Sequence, residues 1–69
     1  MEQQDIERLL RDVAASQGTR ITIVRVQRLS DGWMVTITDQ ADRIVSTRLP
    51  EGPAVAIRTA LIHWLDTHA

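Results

Sequence analysis

One stretch restricts the fold more than any other: Trp33-Met34-Val35-Thr36-Ile37-Thr38-Asp39. It alternates strictly, with Trp33, Val35 and Ile37 on one side and Met34, Thr36 and Thr38 on the other. Successive strand side chains point to opposite faces, so the pattern predicts a strand with one buried face. Turn-forming residues bound it on both sides, and a β-branched run lies beyond each turn. The segment is therefore expected to be the middle strand of a three-stranded antiparallel meander.

The flanking strands are expected over Arg20 to Leu29 and Arg43 to Leu49. The first breaks its own alternation: Ile21 and Ile23 share one face, then Val24 and Val26 take the other. A β-bulge near Ile23–Val24 would restore a continuous buried face; otherwise both faces are partly covered. Ser30-Asp31-Gly32 is a hairpin signal whose Asp-Gly pair suits the positive φ angles of a type I′ turn. Asp39-Gln40-Ala41-Asp42 is a polar four-residue connection. In the third strand Val45, Thr47 and Leu49 oppose Ile44, Ser46 and Arg48.

Helical periodicity marks both ends. From Asp5 to Gln17, Ile6, Leu9, Leu10, Val13 and Ala14 form one apolar stripe, and Gly18 is placed to supply a left-handed C′ residue. After Pro50-Glu51-Gly52, Pro53 suits the first position of a second helix. Ala54, Ile57, Ala60, Leu61, Trp64, Leu65 and His68 make that helix's apolar face, with Val55 and Ile62 outside it. The fold class is α+β: one small domain over residues 1–69, helix–strand–strand–strand–helix, with both helices on one face of the meander.

Composition narrows the function. A chain of 69 residues buries only about 60% of the surface its unfolded form exposes. Without cysteine it has no disulfide or thiolate metal site, so regular packing or oligomerisation must support the core. A net charge of −1 argues against a general polyanion binder. No apolar run is long enough to span a membrane. The polar, acidic start Met1-Glu2-Gln3-Gln4-Asp5 is unlike a signal peptide, and a cytoplasmic location is expected. All eight basic residues are Arg, and Lys, Asn, Phe and Tyr are absent; their shared AT-rich codons point to a GC-rich genome rather than to selection for guanidinium.

No constellation for chemistry emerges. His63 and His68 are five apart on a helix and point to different faces, where a two-His zinc site needs i,i+4. Ser16, Ser30 and Ser46 have ordinary uses at a helix end, in a turn and on a strand. Asp31, Asp39 and Asp42 belong to hairpin loops, and the glycines form no phosphate loop. No enzyme activity, cofactor or metal is expected. Trp33 and Trp64 are expected in the core. Arg20, Arg25, Arg28, Arg43 and Arg48 lie on or beside the sheet and together suggest a locally positive face, although singly each reads as a solvated edge guard. Met34, Ile44, Val55 and Ile62 are surplus apolar residues which, if contiguous, would mark an interface.

The element order resembles the topology of the double-stranded-RNA-binding domain. That family holds phosphates with a Lys-rich start to its second helix and a basic, His-containing loop between its first two strands. The corresponding residues here, Pro50-Glu51-Gly52-Pro53-Ala54-Val55 and Ser30-Asp31-Gly32, contain no cation, so no site residue carries over. Trp33-x-Val35-x-Ile37 followed by Ala56-Ile57-x-x-Ala60-Leu61 is also similar to the strand–strand–helix half of small antitoxin domains of the HicB type.

The expected function is a non-enzymatic protein-binding module, a regulator or inhibitor working by protein–protein contact as a homodimer. The expected contact residues are Arg25, Met34, Thr36 and Arg48 on the open sheet face, with Val55 and Ile62 on the second helix as the rival surface. The alternative is nucleic-acid binding through the sheet arginines.

Overall fold

The computed structural model describes residues 2–68, the His68 side chain excepted. The elements run α1 (Gln3–Ser16), β1 (Thr22–Leu29), β2 (Gly32–Thr38), β3 (Ile44–Pro50) and α2 (Ala54–His68). The strands form one antiparallel sheet in the order β1-β2-β3, the meander that the alternation of residues 33–39 requires.

Helix α1 starts where Asp5 can reach back: its Oδ2 accepts the Glu2 backbone N–H at 2.8 Å, satisfying an otherwise orphan donor beside the positive end of the helix. It stops at Gly18, which takes φ +67. There the Gly18 N–H donates to the Ala15 carbonyl (3.2 Å) and the Thr19 N–H to the Ala14 carbonyl (2.9 Å), a Schellman closure that needs the left-handed residue. At the other helix Pro53 stands one position earlier than expected. Its carbonyl accepts from Ala56 (3.0 Å) and Ile57 (3.3 Å), so it is the N-cap of α2 rather than its first helical residue.

The broken alternation of β1 is resolved by a bulge. Ile23 pairs with Ile37 and Arg25 with Thr36, leaving Val24 as the extra residue. Val24 is 55% exposed, while Ile23 and Val26 both face the core. One inserted residue thus keeps the apolar side chains of β1 on a single face.

The β1–β2 turn differs from expectation. Leu29 pairs with Gly32, so Ser30 and Asp31 are the central residues and neither has positive φ; the turn is not type I′. Gly32 serves another purpose. A Cβ there would lie 2.1 Å from the Leu49 carbonyl oxygen, because β3 passes directly alongside. In the second hairpin the strand ladder ends at Thr38↔Ile44, so the third strand starts one residue later than expected and the connection covers residues 39–43. The Asp39 N–H donates to the Arg43 carbonyl (2.9 Å) and the Asp42 N–H to the Asp39 carbonyl (3.0 Å), and Asp42 adopts φ 61. This is a turn closed by a left-handed residue, a position that Asp tolerates better than most side chains.

A single core fills the space between the sheet and the helices. It comprises Ile6, Leu10, Val13 and Ala14 from α1, Val26, Trp33, Val35, Ile37 and Leu49 from the strands, and Ile57, Leu61, Trp64 and Leu65 from α2. Helix α1 packs over β1, α2 over β3, and the helices touch each other. Both tryptophans are core, at 3% and 7% exposure. Ala54, expected on the apolar face of α2, is exposed because it precedes the first turn that reaches the sheet. The expected place of His68 on that face lies outside the described residues.

Candidate interaction surfaces

The register fixes what the uncovered side of the sheet presents. Across the three strands the outward rows are Thr22–Thr38–Ile44, Arg25–Thr36–Ser46 and Gln27–Met34–Arg48. Arg25, Met34, Thr36 and Arg48 are therefore brought together, in adjacent rows centred on β2. The Thr36 and Ser46 hydroxyls hydrogen-bond at 2.9 Å, tying β2 to β3 on this side. Met34 and Thr36 are half-buried between their neighbours, whereas Arg25, Gln27, Ser46 and Arg48 are exposed.

The five sheet arginines do not form one patch. Arg28 pairs in register with Trp33 and so lies on the helix side. Its guanidinium sits 5.0 Å from the Trp33 ring centroid and bonds Glu51 at 2.8 Å. Arg43 is held in the second hairpin, where its Nε donates to Asp39 Oδ2 at 3.0 Å. Arg20 precedes β1. What remains on the open face is Arg25 and Arg48, one on each side of β2. Among the described residues neither makes an ion pair, and the three strands contain no carboxylate. The face is thus a small, purely cationic surface on a protein of near-neutral charge.

The Asp39 carboxylate is shifted, and the cause is local. Its Oδ1 accepts the Arg43 N–H at 3.0 Å and the Ala41 N–H at 2.9 Å. The Arg43 backbone bond, then the Ala41 bond and the Arg43 charge, hold it below the usual carboxylate range, since each favours the ionised form. The same bonds hold the 39–43 loop closed.

Hydroxyls elsewhere bond their own helices: Ser16 to the Val13 carbonyl, Thr59 to Val55 and Thr67 to His63, each at 2.9 Å. Among the described residues no three His, Asp or Glu side chains cluster as metal ligands. None of their helices is long and apolar enough to cross a membrane. A shallow depression of about 450 Å³ lies between Glu2, Gln3, Arg28 and Trp33 at the start of α1; its cation is already engaged by Glu51 and its helix end by Asp5.

The rival surface lies elsewhere on the molecule. Val55 is 69% and Ile62 39% exposed on the side of α2 turned away from the sheet. Ile44, 73% exposed, is at a corner of the open face, so the surplus apolar residues do not merge into one patch. The bulged Val24 is a further exposed apolar residue.

No protein-family model, curated protein or solved structure matches the chain.

Proposed function

We propose that the protein is a non-enzymatic binding module, a small regulator or inhibitor acting by protein–protein contact, whose open sheet face receives an acidic segment of its partner. The observation that carries this reading is the pair Arg25 and Arg48, unpaired among the described residues and flanking Met34 and Thr36 on a sheet face that no helix covers. Guanidinium forks favour carboxylates bidentately. Met34 between them offers an adaptable apolar contact.

The same charge pattern opposes self-association through this face, because a second copy would bring four arginines together without a carboxylate. Nucleic acid is less favoured by the site. Single strands are held by stacking on exposed aromatics, and Trp33 and Trp64, the only aromatics, are both buried.

The test is a titration of isotope-labelled protein with a Glu-rich, strand-forming peptide and, separately, with duplex RNA, read by amide chemical shifts. The reading expects peptide-induced shifts centred on Arg25, Met34, Thr36 and Arg48, lost in the Arg25→Glu, Arg48→Glu double variant. Shifts placed elsewhere, or binding that survives the double variant, would overturn it. RNA binding at the same residues with a steep salt dependence would transfer the site to nucleic acid.

A further inference from the structure

The outward side of α2 carries a pattern that its own fold leaves unused. Helical spacing aligns Val55, Arg58, Thr59, Ile62 and Asp66 within one stripe, and all five are exposed. The charges are arranged against the helix dipole. Asp66 stands in the last turn, where a carboxylate is disfavoured, and no acid occupies the first turn. Arg58 and Asp66 are eight residues apart, about 12 Å along the axis, too far to pair with each other. Neither makes an ion pair elsewhere among the described residues.

Ile62 lies midway between them, four residues from each. An antiparallel copy of the same helix, related by a two-fold axis at Ile62, therefore sets Arg58 opposite the partner's Asp66 and Asp66 opposite the partner's Arg58. Ile62 then meets the partner's Ile62 at the centre. A parallel copy would place like charge on like. An antiparallel copy centred between Val55 and Ile62 would place the two Arg58 side chains together at the axis. Charge complementarity selects one occupant and one register.

We propose that the protein forms a two-fold homodimer through α2, with Ile62 at the axis and two reciprocal Arg58–Asp66 pairs around it. The isologous contact is self-complementary but rests on one helix per subunit, so it belongs to the small, weak class of interfaces. It also turns the two open sheet faces outward. An acidic partner presenting two segments would then engage both, with the gain in avidity that linkage supplies.

Sedimentation velocity over a concentration series, at low and high salt, tests the dimer independently of the sheet-face reading. Wild type is expected to show a monomer–dimer equilibrium. Ile62→Asp should abolish it. Arg58→Glu or Asp66→Arg alone should weaken it by about tenfold or more, since two attractive pairs become two repulsive ones. Arg58→Glu combined with Asp66→Arg should restore it, and Arg25→Glu with Arg48→Glu should leave it intact. The altered α2 positions are exposed, and circular dichroism checks that each variant is folded. A monomer at every concentration, a dimer indifferent to Ile62→Asp, or a double swap no better than its single parents would overturn the proposal. A dimer dissolved by the sheet-face variant would overturn it too.

Discussion

Gly32→Ala probes the closest approach in the fold. The added Cβ would lie 2.1 Å from the Leu49 carbonyl oxygen and 3.2 Å from its carbon, where an ordinary carbon–oxygen contact is about 3.3 Å or more. The obstacle is β3 backbone, which cannot swing aside as a side chain would. β3 must retreat by more than an ångström, which opens the Gly32↔Pro50 and Trp33↔Leu49 rungs of the ladder. Losing one or two backbone hydrogen bonds costs about 0.5–1.5 kcal/mol each. The φ of +155 at this position adds strain of about 1–3 kcal/mol for a residue with a Cβ. Stiffening the unfolded chain offsets about 0.4–1 kcal/mol. The net expectation is a loss of about 2–4 kcal/mol, which in a domain of this size lowers Tm by roughly 4–8 °C per kcal/mol. Urea unfolding followed by tryptophan fluorescence measures it, because Trp33 adjoins the substituted residue. Gly18→Ala is the control: it shares a positive φ but has nothing within 4 Å of the added Cβ. A Gly32→Ala cost below about 1 kcal/mol, or no greater than that of the control, would refute the backbone clash.

Two further expectations concern the sheet and its loop. Deleting Val24 removes the extra residue and makes Ile23 and Arg25 consecutive against Ile37 and Thr36, so Ile21, Ile23 and Val26 stay on the core face of a regular strand. The deletion should therefore cost no more than about 1 kcal/mol by denaturant titration, and Val24→Thr, at a 55% exposed site, should stay within about 0.5 kcal/mol of wild type; a loss of about 2 kcal/mol or more on deletion, the size of burying such a side chain, would show that the register is not kept. Asp39 is held below the usual carboxylate range in the folded state, so its contribution is fully present above its unfolded pKa, about 4, and is lost as pH falls through the lower folded value. Asp39→Asn should therefore be less stable than wild type near neutrality and should flatten the acid limb of the stability–pH curve below about pH 4; an unchanged acid limb would show that the Arg43 and Ala41 bonds do not favour the ionised carboxylate.

Local chemistry was legible in the sequence wherever one physical rule acted alone. Period-two alternation over residues 33–39 specifies a half-buried middle strand, 3.6-residue spacing specifies both helices, and Gly18 marks the end of α1. Even the bulge was readable, because Ile21, Ile23, Val24 and Val26 cannot share a face on a regular strand. These are properties of neighbouring residues, and the chain carries them before it folds.

What only the tertiary structure decided depends on pieces of chain that are distant in sequence. Arg25 and Arg28 look alike in a strand, yet the register against β2 places one on the open face and the other over Trp33, where Glu51 completes its pairing. Gly32 reads as a turn glycine, but the reason for glycine there is the Leu49 carbonyl arriving from β3. The five sheet arginines divide into paired and unpaired sets for the same reason: ion pairing needs about 4 Å proximity, and only folding determines which carboxylate comes that close. The sequence alone determined which segments form which elements. The way they pack determined which side chains remain uncovered, and so which surfaces are available to a partner.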